Sequence, residues 1–146
     1  MLSALAESTQ PKMLSERVGR LLVLYQSDEP PRDSEWDACL AQVRSFTGDL
    51  NDLRVLVLTR GGGPTPHQRK RLAKTIGRAM IRVAVVTDSV RVRFISSSVA
   101  LFMARLRSFG WEDVRQAYFH LDLDARERRL ADGIVADLGS AMSGQQ

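Results

Sequence analysis

Apolar residues in this chain fall in two patterns, short solid blocks and longer periodic stripes. The solid blocks are Leu21 to Tyr25, Val55 to Leu58 and Ile81 to Val86, the last interrupted only by Arg82. Runs of this length predict strands buried on both faces. The first is read as the inner part of a strand over Arg17 to Tyr25. Arg105 to Phe109 (RLRSF) is short and alternating, and predicts a fourth, edge-like strand. The stripes carry a helical period. Trp36, Leu40, Val43 and Phe46 follow a cap at Asp33 or Ser34, and Gly48 ends that helix. Leu72, Ile76 and Met80 mark the buried side of a second helix that stops at Gly77. A third begins near Val90 and buries Ile95, Val99 and Phe102. Val114, Ala117, Tyr118 and Leu121 mark a fourth, and Leu130, Ile134, Leu138 and Met142 a fifth. The order β-α-β-α-β-α-β-α-α predicts an α/β fold: one mostly parallel, four-stranded sheet flanked by helices. Residues 1–14 are polar, contain Pro11 and are expected to form a flexible tail. Residues 15–142 form a single domain, and 143–146 a second tail.

The chain is organised around Leu53 to Gly77, LRVLVLTRGGGPTPHQRKRLAKTIG. A buried strand runs into Thr59-Arg60 and three glycines, which free the backbone. Thr65 is expected to cap the following helix, with Pro66 at its first position, where a missing N–H costs nothing. Ligands of open α/β sheets gather at the carboxyl ends of strands. That edge is expected to carry Asp28 and Glu29, Thr59 to Thr65, and Thr87 to Ser89.

Composition adds one decisive feature. Of 146 residues, 44% are apolar and 26% charged, as in an ordinary globular chain. The net charge of +4 hides a split. Residues 54–107 hold 12 Arg or Lys against one acid, Asp88, whereas the remainder holds 9 basic and 16 acidic residues. Such a dipolar distribution predicts a basic face suited to an acidic protein surface, a phosphate or nucleic acid. Cys39 is the single cysteine, which excludes an internal disulfide and reads as a small buried hydrophobe. No apolar run reaches the roughly 20 residues of a membrane span, and Met1 to Met13 carries no secretory pattern. The expected location is cytoplasmic.

The succession EPPRDSEWDACL, RVLVLTRGGGPTPHQRKRL, IRVAVVTDSVRVRFISSSVALF, RLRSF and EDVRQAYFHLDL resembles the SpoIIAA-like superfamily. Its members include STAS domains, the anti-sigma-factor antagonists and their relatives, and the STAS/SEC14-like small proteins. The resemblance spans roughly residues 17–123. It implies a SpoIIAA-like (STAS-like) fold and a non-enzymatic binding module of a bacterial-type regulatory system. STAS domains usually open with a hairpin, whereas one strand is read here before the first helix. In STAS antagonists the loop after a central strand carries a phosphorylatable serine in an Asp-x-Ser-Gly context. LTRGGGPTP, the corresponding loop, has neither that serine nor the aspartate and offers Thr59 and Thr65 instead.

Each chemical motif has a plainer explanation beside it. The glycine loop lacks both GxxxxGK[ST] and GxGxxG, and a tight strand-to-helix turn accounts for three glycines without a ligand. As an anion site it would use the amides near Thr65 to Gln68 with Arg60 and His67. Thr87-Asp88-Ser89 superficially resembles a phospho-acceptor site, but a helix cap at Asp88 or Ser89 explains it more simply, although Ser89 stays a phosphorylation candidate with Thr59 and Thr65. His67 and His120 with one cysteine do not build a closed zinc site. A triad of His67, Asp88 and a serine among Ser96 to Ser98 lacks a nucleophile elbow. Positions 67, 70, 71, 74 and 78 share a helix face able to follow phosphates, yet no aromatics interleave to stack bases.

These readings converge on a protein with no enzymatic activity, cofactor or metal. It is expected to act by contact with a partner of acidic surface. The contact residues would be Arg60, Gly61, Gly62, Gly63, Thr65, His67, Arg69, Lys70, Arg71 and Lys74. A small-ligand or phosphate sensor at residues 59–65 is the alternative, and a nucleic-acid-binding helix the second. Homo-oligomerisation stays open.

Overall fold

The apolar blocks do become strands, and they number one more than the hydrophobic pattern predicts. A computed structural model describes residues 10–92 and 105–143. Its sheet has five strands in the order β1-β2-β3-β4-β5: β1 (Met13–Val18), β2 (Leu21–Gln26), β3 (Arg54–Thr59), β4 (Arg82–Val86) and β5 (Leu106–Phe109). β1 and β2 pair antiparallel, and every later pair is parallel. The expected strand Arg17 to Tyr25 is therefore corrected to a hairpin. It turns at Gly19, whose φ of +61° suits a residue without Cβ, and at Arg20. The expected tail is likewise shortened, since Met13 and Leu14 already lie in β1. Lys12 just before it donates its N–H to the Glu35 carboxylate at 2.9 Å.

Four helices lie wholly within the described residues: α1 (Asp33–Ser45), α2 (Pro66–Ile76), α3 (Val114–His120) and α4 (Ala125–Ser143). Short 3-10 turns occur at Leu50–Asp52 and Trp111–Asp113. Val90 to Val92 begin another helix, with the Ser89 hydroxyl accepting the Val92 N–H at 3.2 Å. The buried positions expected for it (Ile95, Val99, Phe102), and Ser96 to Ser98, lie outside the described residues. Arg32, rather than Asp33 or Ser34, occupies the cap position of α1. The Glu35 carboxylate accepts the Arg32 N–H there at 2.8 Å. Trp36, Cys39, Leu40 and Val43 are buried as the stripe predicts, while Phe46 forms the C-cap under the Arg17 guanidinium, 5.8 Å from its ring centre.

Alternation along the strands divides the core in two. Leu22, Leu24, Val83 and Val85 face α1, together with Leu72 and Ile76 of α2. Leu21, Val23, Tyr25, Leu56, Leu58, Ala84, Val86 and Phe109 face α3 and α4. Parallel strands that follow one another in space, joined by crossovers of one hand, place their connecting helices on the same face. This is why α1 and α2 share a side and the opposite face is left for the two helices after β5. α4 crosses back over β1 and β2 and buries Ala131, Ile134, Leu138 and Met142. Leu130 is only partly buried, so Ala131 takes the inner position expected of it.

Three arginines stand at the amino ends of the strands. Arg20 forms a two-pronged ion pair with Glu127 at 2.7 and 2.9 Å. Arg54, only 7% exposed, pairs in register with Arg82, and the Nε atoms of both are buried without a hydrogen-bond partner. Burial, then the charges of Arg20 and Arg82, lowers the Arg54 pKa. Among the described residues no helix is long and apolar enough to cross a membrane.

Candidate functional site

The expected site residues occupy the carboxyl edge of the sheet and run along α2 from its cap to its last turn, and they divide into a hydrogen-bonded loop and a solvated helix face. In the loop, Thr59 is 2% exposed. Its hydroxyl donates to the Gly62 carbonyl at 2.6 Å and accepts the Gly61 N–H at 3.1 Å. The Gly62 N–H in turn donates to the Ser27 carbonyl at 2.9 Å, which ties the loop to the segment after β2. The three glycines differ in what they require. Gly61 has a φ of +133°. A Cβ on Gly62 would lie 2.3 Å from the Glu29 carbonyl oxygen and 2.6 Å from that of Ser27. Gly63 has open space around its Cβ direction and no such conformation.

Thr65 caps α2 as its sequence position predicts. Its hydroxyl accepts the Gln68 N–H at 3.2 Å, and the Gln68 side-chain oxygen accepts the Thr65 N–H at 2.9 Å, the reciprocal capping box. The amides of Gly61, Gly62, Thr65 and Gln68 are thus all engaged within the chain. Of the three phosphorylation candidates, Thr59 is buried in the loop, and Thr65 and Ser89 each cap a helix. Asp88 does not cap. Its carboxylate accepts the Trp111 N–H at 3.3 Å.

Gln68 is the residue that sequence reading overlooked. It is 1% exposed, and its Nε2 donates to the Pro31 carbonyl at 2.9 Å and the Asp33 carboxylate at 3.0 Å. The Gln68 carbonyl accepts the Trp36 indole N–H at 2.9 Å. A polar residue inside a basic stretch gives no local sign of burial, because its partners stand more than 30 positions earlier. Together these bonds lock the first turn of α2 onto that of α1.

The basic residues do not form one cluster. Arg60 turns to the other face of the sheet, where its guanidinium lies 5.8 Å from the Tyr25 ring centre. There it borders a cavity of about 320 Å³ whose charged walls also include Lys12, Asp28 and Glu29. Lys12 pairs with Glu29, and the formal charges of the four balance. On α2, Arg71 is tied to Asp37 of α1, and Arg69 donates to the Pro64 carbonyl at 3.0 Å. His67, Lys70, Lys74 and Arg78 are exposed, and none of them forms an ion pair among the described residues. His120 lies across the sheet on α3, its Nε2 2.8 Å from the Arg105 carbonyl, so the two histidines do not meet. Among the described residues, no three His, Cys, Asp or Glu side chains assemble as metal ligands. Cys39 is buried, and burial pushes its thiol up to about 12.

A second cleft, which the hydrophobic pattern does not reveal, runs between α3 and α4. Val114, Arg115, Tyr118, Ala125, Arg128, Arg129 and Asp132 enclose about 400 Å³ there. The Tyr118 hydroxyl donates to the Asp132 carboxylate at 2.7 Å, and burial followed by that bond raises the Tyr118 pKa. No family model, curated protein or solved structure matches this chain.

Proposed function

We propose that this chain is a non-enzymatic regulatory or adaptor module of SpoIIAA-like (STAS-like) fold that acts by protein–protein contact. The exposed side of α2 that carries His67, Lys70 and Lys74 is its contact face, and the partner carries an acidic surface. The observation that carries the reading is the outer side of α2. Lys70 and Lys74 follow His67 at helical spacing, without an ion pair among the described residues, on a helix whose first turn Gln68 ties to α1. Fixed, solvated positive charge of this kind steers an acidic partner and sets specificity. The opening hairpin β1–β2 and the parallel strands after it support the STAS-like part.

The test is charge reversal at Lys70→Glu/Lys74→Glu, which spares the Arg71–Asp37 pair and the capping box. Affinity purification with wild type and variant, at low and moderate salt, reads out co-purifying proteins. A partner retained by wild type, released by salt and lost in the variant supports the contact face. Equal retention by both overturns it.

The phosphate-sensor alternative at residues 59–65 has less support, because four loop and cap amides already have partners. Nucleic-acid binding lacks stacking aromatics on the exposed side of α2, and salt-dependent retention on DNA or RNA would be its signature.

A further inference from the structure

The cleft between α3 and α4 lies on the face of the sheet opposite α2 and has the build of a separate anion site. Its volume, about 400 Å³, falls within the roughly 300–1,000 Å³ of small-molecule sites. Three arginines and one aspartate line it, leaving an excess of two positive charges. Asp132 is engaged by the Tyr118 hydroxyl. Arg128 gives one N–H to the Leu123 carbonyl at 2.8 Å. None of Arg115, Arg128 and Arg129 forms an ion pair among the described residues. A guanidinium is planar and matches the oxygens of phosphate or carboxylate two at a time. The charge decides between those groups. A phosphate monoester carries about −1.5 to −2 at pH 7 and balances the excess, whereas a single carboxylate balances only half of it.

The surroundings add an apolar preference. Val114, Ala125 and the Tyr118 ring contribute apolar lining. The apolar part of the lining beside the guanidiniums suits a ligand with an anionic head and an apolar or aromatic body.

We propose that the α3–α4 cleft binds a small organic phosphate monoester. Arg115, Arg128 and Arg129 hold the phosphate, and Val114, Ala125 and the Tyr118 ring hold its aromatic or apolar part. This site is independent of the contact face on α2, which lies across the sheet.

The probes are phenyl phosphate, inorganic phosphate and benzoate, titrated into the full chain at constant ionic strength by calorimetry and amide chemical-shift mapping. Phenyl phosphate is expected to saturate, with the largest shifts at Arg115, Tyr118, Arg128 and Arg129. Arg115→Gln/Arg129→Gln removes two exposed guanidiniums without touching the core and should weaken binding by about tenfold or more. Ala125→Asp, a charge placed in the apolar lining, should weaken phenyl phosphate more than inorganic phosphate. Lys70→Glu/Lys74→Glu should leave both unchanged, which separates this site from the α2 face. Absence of saturation, equal binding by the double arginine variant, or benzoate binding as tightly as phenyl phosphate would each overturn the assignment. Inorganic phosphate binding as tightly as phenyl phosphate would overturn the apolar half of the proposal.

Discussion

Replacing each of three consecutive glycines by alanine should give three different results, although sequence alone makes them look equivalent. At Gly62 the new Cβ would stand 2.3 Å from the Glu29 carbonyl oxygen and 2.6 Å from that of Ser27, both backbone atoms unable to rotate away. The loop must withdraw, and in doing so it stretches two bonds. One is the Gly62 N–H to the Ser27 carbonyl at 2.9 Å, and the other the Thr59 hydroxyl to the Gly62 carbonyl at 2.6 Å. Each contributes about 1 kcal/mol net, and a buried hydroxyl left without a partner costs about 1–3 kcal/mol. A total near 3–4 kcal/mol follows, or a melting temperature lower by about 10 °C for a chain of this size. Gly61→Ala is strained by its φ of +133° and should cost about 1–3 kcal/mol. Gly63→Ala meets nothing within 4 Å and should change stability by less than about 0.5 kcal/mol. Thermal and urea unfolding of the three variants, followed by circular dichroism, measures the series. If Gly62→Ala melts within about 2 °C of Gly63→Ala, the close approach of the two loops is not what selects glycine there.

Gln68→Leu keeps the volume but strips the Thr65 N–H, the Pro31 carbonyl and the Asp33 carboxylate of their partner. It should cost about 3 kcal/mol in urea unfolding, and a cost below about 1 kcal/mol would contradict the bracing role. Arg54→Met exchanges a buried guanidinium, its Nε without a partner, for an apolar side chain of similar length. It should be neutral or stabilising by about 1 kcal/mol, and a large loss of melting temperature would show that the Nη1 bond to the Asn51 carbonyl at 3.3 Å and the charges of Asp122 and Asp52 outweigh the burial. Glu127 is held below its usual value of 4.5, first by the hydrogen bond from Arg20. Because its folded pKa is depressed, its contribution is complete above pH 4.5 and fades as pH falls through the folded value. Glu127→Gln should therefore be less stable by about 1 kcal/mol at pH 7, and the gap should close in acid. A gap independent of pH would refute the ion-pair account. Cys39, buried and with its thiol pushed up to about 12, should react with a thiol reagent at pH 8 only as the chain unfolds.

The central architecture was legible because its signals are local. The unbroken runs of β2, β3 and β4, the Thr65-Pro66 helix start and the Gly77 stop each lie within a few residues of what they specify. β1 escaped because MLSERV is an edge strand with only Met13 fully buried, and Gly19 reads as part of one continuous strand rather than as a turn. The cap of α1 was misplaced by a residue or two because Asp33 is a good capping residue, but its carboxylate is drawn instead to Gln68. For the site, the loop and basic helix were visible in sequence, whereas their separation was not. Arg60 sits on a strand end whose alternation points it away from α2, and Arg71 is claimed by Asp37. The α3–α4 cleft was invisible for the same reason as the burial of Gln68. Arg115 and Arg129 approach one another only when two helices fold against the same sheet face.

The strictly sequential strand order has a kinetic meaning. Each strand after β1 pairs with the one made just before it, so the sheet can grow in step with synthesis from the hairpin outward. α4 is the exception, since it reaches back from the last part of the chain to cover β1 and β2. Until Ala131, Ile134, Leu138 and Met142 arrive, Leu21, Val23 and Tyr25 face solvent on an otherwise assembled sheet. The last helix therefore works as the latch of the fold. A nascent chain stalled before it would hold a sticky, half-dressed sheet, making completion of this helix the step that separates folding from aggregation.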